Sequence, residues 1–296
     1  MRDRELPSFL PMSDGRIADA PELTPPGELH LPRRGSLMVR DEGDKSAPAV
    51  VLLHGWTVTA DLNFFLQYGP LAERYRVISF DHRGHGHGLR PIRPVRIVDL
   101  ADDVVAVADA LGINRVVAVG YSLGGAVAQV LARRNGERLH GLVLTATMPR
   151  FRASDLRIWP GIMSGLAAGT RLAPRRVVDR VFGNMLEKRT ADLHPWGVEQ
   201  LSRNHPRMLL ETGASLFNFD SKSWLPTITT PTSIVVTNDD RKVPPRAQRQ
   251  LADLIPDAML HPVDGGHDAS VASAATFNRG LLEAIDSVLA RAGNGR

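Results

Sequence analysis

The sequence predicts an α/β protein, with a mostly parallel central sheet flanked by helices and a helical insertion late in the chain. Three observations carry that expectation. Short apolar runs rich in β-branched residues, such as 50–53 (VVLL) and 116–119 (VVAV), have the continuous hydrophobicity of strands buried on both faces. Segments with apolar residues at helical spacing alternate with these runs, as helical crossovers between parallel strands require. The rhythm breaks once, over residues 150–226, and a connection of that length needs structure of its own.

Along the chain, residues 1–28 are proline-rich and lack periodicity, which marks an N-terminal extension. Ser36 to Arg40 reads as a short strand, followed by a turn at Asp41-Glu42-Gly43-Asp44. Val50 to Leu53 is a buried strand, Leu62 to Tyr75 has helical character, and Arg76 to Phe80 is the next strand. Ile97, Leu100, Ala101, Val104, Ala108 and Leu111 recur at helix spacing, and Gly112 supplies the stop. Strand 116–119 follows, then a helix beyond Ser122. Leu142 to Thr145 and Ser233 to Val236 are strands, Pro245 to Leu254 a helix, Met259 to Pro262 a short strand, and Ala274 to Ala292 a terminal helix. The core domain is therefore expected at 29–149 and 227–296. Residues 150–226 form a mainly helical cap over one edge of the sheet.

Composition narrows the function classes. A chain of 296 residues fits one large domain with an insertion. It has no cysteine, which excludes a disulfide scaffold and a thiolate metal site. Formal net charge is only +4, and one local basic cluster (Arg171, Arg175, Arg176 and Arg180) does not make the stripe that nucleic acid needs. A solvated helix face explains the cluster, and contact with an anionic lipid surface or an acidic substrate is the alternative. No apolar run reaches the roughly eighteen residues of a membrane span, and the N-terminus lacks the apolar core of a secretory signal. A cytoplasmic protein is the default expectation. Composition does not set the oligomeric state.

The chemistry centres on Gly120-Tyr121-Ser122-Leu123-Gly124, between a strand and a helix. Serine there could simply cap the helix. Alternatively, a strand that turns abruptly into a helix holds the apex residue in a strained conformation, with small residues two positions away on either side and the hydroxyl exposed. A serine hydroxyl attacks only if a base takes its proton, and a carboxylate must orient that base. His267 lies in Asp264-Gly265-Gly266-His267-Asp268, directly after a short strand, where open α/β sheets build their sites. His261 falls within the strand, and His194 and His205 each precede a proline in the insertion. The acid should come from Asp239 or Asp240, in the loop after the 233–236 strand. An oxyanion needs two backbone amides: Leu123, after the serine, and Trp56, in the His54-Gly55-Trp56 loop. The segment 81–88 carries His82, His85 and His87, but no carboxylate or cysteine completes an obvious metal site, and no cofactor is expected.

The segments VVLLHGW, FDHRGHGHG, GYSLGG, TNDDRKVP and GGHD occur in the order and spacing of the α/β-hydrolase superfamily, which this chain resembles from about residue 36 to 290. The resemblance implies Ser122 as nucleophile, His267 as base and Asp240 as the acid, three residues beyond Thr237. It also implies oxyanion amides at Trp56 and Leu123, and a structural role for the 81–88 loop. Gly88 departs from the serine common there. Dehalogenases and epoxide hydrolases of the superfamily carry aspartate at the elbow, so serine implies acyl transfer. The expected activity is hydrolysis of a small-molecule carboxylic ester with an apolar acyl group, as in an esterase or lipase. Phe64, Phe65, Met148, Trp159, Met163, Phe217 and Phe219 are candidates to line the acyl pocket. C–C bond hydrolysis of a diketone and cofactor-free perhydrolysis use the same triad and are the alternatives. A non-catalytic binding protein would be expected to have a damaged triad position.

Overall fold

A computed structural model describes residues 21–151, 158–190 and 194–293. Residues 1–20 of the expected extension and the side chain of Arg175 lie outside the described residues. Eight strands form one sheet: β1 (Gly27–Leu31), β2 (Gly35–Glu42), β3 (Ala49–Leu53), β4 (Arg76–Phe80), β5 (Val116–Tyr121), β6 (Leu139–Thr145), β7 (Thr232–Thr237) and β8 (Met259–Val263). Their spatial order is β1-β2-β4-β3-β5-β6-β7-β8. β1 and β2 pair antiparallel, as do β2 and β4, and all later pairs are parallel. The sheet is thus the mostly parallel one that the alternating pattern predicts.

Alternate residues of the central strands enter two cores. Val50, Leu52, Val117, Val119, Val143 and Val235 face one layer, and Val51, Leu53, Ala118, Leu142, Leu144 and Ile234 face the other. Both faces are covered, which is why these strands read as unbroken apolar runs. On the first face lie α1 (Ala60–Phe64), α2 (Tyr68–Ala72) and, from the far end of the chain, α11 (Ala274–Gly293). The second is covered by α3 (Ile97–Ala110), α4 (Leu123–Asn135) and α9 (Pro245–Leu254). Between β6 and β7 the chain forms α5 (Trp159–Leu172), α6 (Arg175–Thr190), α7 (Pro195–Ser202) and α8 (Pro206–Phe217). A short helix, α10 (Ala269–Ala272), precedes α11. No helix among the described residues is long and apolar enough to cross a membrane.

Two local expectations change. β1 falls partly within the segment read as an extension. It pairs Gly27↔Val39 through Leu31↔Gly35, but it is a half-exposed edge strand of five residues, too short to show period-two patterning. The single helix expected over 62–75 is two short helices. Pro70 has no amide hydrogen and its ring would clash with the carbonyl four residues back, so one helix cannot run through 66–70.

The topology places the functional loops. β3 is followed in sequence by β4 on one side and then by β5 on the other, so the strand order switches direction at β3. Ligands in open α/β sheets bind beyond the carboxyl ends of the strands at such a point. The register Leu53↔Gly120 levels those ends and sets the 54–59 loop beside Ser122.

Close packing makes a directional prediction. A Cβ on Gly141 in β6 would overlap the side chain of Val288 in α11, whereas one on Gly161 in α5 meets nothing within 4 Å. Gly141→Ala should destabilise the protein by about 1–3 kcal/mol through overpacking. Gly161→Ala should stabilise it by up to about 1 kcal/mol through helix propensity. Urea unfolding of both variants checks the opposite signs.

Candidate active site

Ser122 stands where β5 ends and α4 begins, with φ 53° and ψ −110°. Its side chain makes no capping hydrogen bond, so it does not serve the helix as an N-cap. A non-glycine residue at positive φ stores strain, on the order of 1–3 kcal/mol, and persists only where its surroundings dictate it. Here they do. A Cβ on Gly120 would overlap the carbonyl of Gly124, and one on Gly124 would overlap the carbonyl of Leu53 in β3. The backbones pass so closely that only glycine fits. The Ser122 amide donates to the Thr145 carbonyl at 3.0 Å, and the Thr147 hydroxyl donates to the Ser122 carbonyl at 2.8 Å.

Three side chains from separate loops meet there. His267 Nε2 lies 3.1 Å from Ser122 Oγ, and His267 Nδ1 lies 2.7 Å from Asp240 Oδ2. An ionised carboxylate only accepts, so Nδ1 carries the hydrogen and Nε2 is left to accept from the serine hydroxyl. The Asp240 carboxylate is buried but well supplied with donors. Its Oδ1 accepts the amides of Lys242 and Val243, each at 2.8 Å, and its Oδ2 accepts the Thr237 hydroxyl at 3.1 Å. Asp239 instead accepts the Gly265 amide at 3.3 Å through Oδ2 and lies away from the imidazole contact. Tyr121 donates to the His267 carbonyl at 2.8 Å and so ties the histidine loop to β5.

The loop after β3 is pinned from below. The Gly55 amide donates to Asn63 Oδ1 at 2.8 Å, and Asn63 Nδ2 donates to Ser270 Oγ at 3.1 Å. His54 Nδ1 donates to the Gly55 carbonyl at 2.7 Å, and its Nε2 accepts the His82 amide at 2.8 Å. His85 Nε2 accepts the Thr57 amide at 3.3 Å. Among the described residues, neither the Trp56 nor the Leu123 amide donates to another backbone group outside regular helices and strands. An oxyanion site would need both amides to meet an incoming oxygen.

A cavity of about 470 Å³ opens over Ser122 and His267. Met148 and Phe217 line it, as the sequence suggests, together with Phe151, Leu216, Val58, Leu62, Val243 and Val271. The other five candidates lie elsewhere. Phe64 is buried behind Tyr121, with ring centroids 6.3 Å apart, and Phe65 stacks edge-on against Trp196 at 5.3 Å. Trp159 is exposed on α5, and Met163 is buried against α8 near Gly213 and Trp56. Phe219 packs between Phe151 and Trp224. The sequence marks these residues as apolar, but helix phase and tertiary packing decide which of them face the serine. Lys242 and Asp268, which sequence reasoning passed over as site residues, line the cavity beside His267. Their signal was adjacency to the expected acid and base.

His54, His82 and His85 form a buried cluster under the 54–59 loop, with ring centroids 4.3 Å apart for His54 and His82 and 5.0 Å apart for His54 and His85. Both ring nitrogens of His54 and of His85 are committed to backbone groups. Burial pulls the His54 pKa down to about 4 and that of His85 down to about 3, and it takes His82 well below the ordinary range. All three are therefore neutral in the folded protein near neutral pH.

Comparison with known proteins places this geometry in context. The sequence signature described as alpha/beta hydrolase fold matches residues 48–272. A protein of Variovorax paradoxus named "Putative carbamate hydrolase RutD" is 33% identical over 242 residues, which span 76% of this chain and 86% of its own. The protein of the same name from Caulobacter segnis is 28% identical over 271 residues, spanning 79% of this chain and 95% of its own. Among solved structures, the enol-lactonase of Burkholderia xenovorans superimposes with a TM-score of 0.72 at 21% identity, covering 88% of this chain and 100% of that one. That likeness concerns the fold.

The neutral histidines predict acid sensitivity. An unfolded histidine titrates near 6.5, so as pH falls below that value the unfolded chain takes up protons that the folded chain refuses. The stability contribution is complete above pH 6.5 and is lost as pH falls toward 4 and then 3. Each such histidine gives a slope of about 1.4 kcal/mol per pH unit within that window. Urea midpoints measured from pH 7.5 to 4.5 should fall steeply below 6.5, and the His85→Gln variant should fall less steeply.

Proposed function

The chain belongs to the alpha/beta hydrolase fold family, and from that premise we propose that it is a serine hydrolase cleaving carboxylic esters with an apolar acyl group. The observation that carries this reading is the continuous relay from Ser122 Oγ through His267 to the caged Asp240 carboxylate, at 3.1 and 2.7 Å, beneath a cavity lined mainly by apolar side chains. His267 Nε2 takes the serine proton as Oγ attacks the ester carbonyl. The oxygen that becomes negative is received by the Trp56 and Leu123 amides, and Asp240 holds the ring and offsets the charge of the imidazolium. His267 then gives its proton to the departing alkoxide. Water enters and attacks the acyl carbonyl as His267 takes its proton; the Ser122 Oγ–acyl bond then breaks, and His267 returns that proton to Oγ as the acid leaves.

Residues 150–226 act as the cap in this reading, because Phe151, Leu216 and Phe217 supply part of the cavity wall. A second reading has support from the relatives named as carbamate hydrolases, the nearer of the two described being 33% identical. The same acyl-transfer machinery would serve a carbamate, with carbamoyl in place of acyl on Ser122. A cavity of about 470 Å³ with mainly apolar walls suits an acyl chain better than a bare carbamate.

Hydrolysis of p-nitrophenyl esters from acetate to palmitate, with a carbamate, a ring-cleavage diketone and peracid formation in parallel, tests the assignment. Esters should be the best substrates, and Ser122→Ala should lose about 10³-fold or more in kcat. A diketone or carbamate turned over far better than any ester would replace the ester reading. Retention of activity in Ser122→Ala would remove the nucleophile.

Asp239 and Asp240 give an internal control. Asp240→Asn should lower kcat by about 10²–10⁴-fold, because an amide there no longer holds the imidazole in its reactive tautomer. Asp239→Asn should stay within about threefold of the parent, since its carboxylate accepts a backbone amide in the loop and lies away from the imidazole. Equal losses in the two variants would contradict the role given to Asp240.

A further inference from the structure

Helix α5 is apolar on two faces. Pro160, Met163 and Ala167 are buried on its inner side, where it packs against α8. On its outer side Ile158, Ile162 and Leu166, spaced four residues apart, are all exposed, Leu166 at 55%. Four-residue spacing puts them in one row on the helix surface. Helix α6 repeats the device with Val177, Val181 and Met185, again four apart and exposed, Val181 at 64%. A surface helix in water ordinarily turns polar residues outward, and contiguous exposed apolar rows mark a contact surface. Gly161, Gly165 and Gly169 lie beside the α5 row with nothing within 4 Å of a Cβ position, which leaves that side of the helix flat.

Charge identifies what fits. Residues 158–190 hold six Lys or Arg against two Asp or Glu, a net +4 that equals the net charge of the whole chain. No acidic residue occurs from 158 to 178. Arg176 and Arg180 are exposed, each one position before a member of the α6 apolar row. A second copy of the chain docked about a twofold axis would bring this positive segment against itself. A surface that offers both apolar depth and negative charge meets both halves of the pattern.

We propose that the outer faces of α5 and α6 dock this protein on an anionic lipid bilayer, with the apolar rows entering the headgroup region and Arg176 and Arg180 meeting lipid phosphates. The helices lie on the bilayer; none described is long and apolar enough to cross it. The inference goes beyond the reaction assigned to Ser122 and does not depend on it, since docking is read without turnover.

Cosedimentation of the full-length protein with vesicles of phosphatidylcholine alone, or with about one third phosphatidylglycerol, tests it. Binding to the anionic vesicles should be at least about tenfold tighter than to the neutral ones, and it should fall sharply between about 0.1 and 0.5 M salt. Leu166→Ser/Val181→Ser and Arg176→Ser/Arg180→Ser should each weaken binding about tenfold or more, with melting temperature and p-nitrophenyl acetate hydrolysis in solution unchanged. Binding that ignores phosphatidylglycerol, or that survives both double variants, overturns the proposal. Light scattering that shows a dimer abolished by Leu166→Ser/Val181→Ser, without vesicle binding, assigns the face to a second copy instead.

Discussion

The backbone of Ser122 at φ 53° is the constraint on which the rest of the site depends. β5 and α4 meet at so sharp an angle that Gly120 and Gly124 touch neighbouring carbonyls, and β3 runs close enough to share the contact. That crossing lifts the serine hydroxyl out of the sheet toward His267. The strain is small beside the burial of β5, whose six residues are all buried, and of the inner face of α4. A local cost is thus held in place by a large core.

The loops around the serine are held differently. Beside apolar anchors such as Val243 and Ala269, their shape comes from hydrogen bonds made in a low-dielectric setting. Asp240 is caged by two amides and a hydroxyl. The 54–59 loop rests on neutral imidazoles below and is tied above to α7, α8 and the turn between them: Thr59 donates to Gln200, Asn204 donates to the Thr57 carbonyl, and the Trp56 indole donates to the Leu209 carbonyl. The proposed oxyanion donor at Trp56 is therefore mechanically joined to α8, which supplies part of the cavity wall. Movement of that helix would be felt at the amide.

Helices α8 and α5 divide their surfaces. α8 gives Leu216 and Phe217 to the cavity and packs its other side against α5. α5 in turn buries one apolar row on α8 and exposes another. An amphiphilic ester would partition into the bilayer on which the outer rows are proposed to dock, so chemistry and docking would share one layer of helices.

The sequence by itself determined the layer architecture and the chemistry-bearing segments. Runs such as 50–53 and 116–119 could be read because a strand buried on both faces is apolar throughout, and Gly-Tyr-Ser-Leu-Gly because a sharp turn admits few residues beside its apex. Those signals are local, and the structure brings Ser122, His267 and Asp240 within hydrogen-bonding reach of one another. The residues alone left Asp239 and Asp240 open, the resemblance pointed to Asp240, and tertiary structure shows which carboxylate turns inward to the imidazole. It likewise decided that Met148 and Phe217 face the cavity while Phe64, Phe65, Met163 and Phe219 pack elsewhere and Trp159 is exposed, and that β1 pairs at the sheet edge. An apolar side chain is bound for burial by its own chemistry. The surface against which it is buried depends on helix phase and on partners far away in the chain, and no short stretch of sequence carries that information.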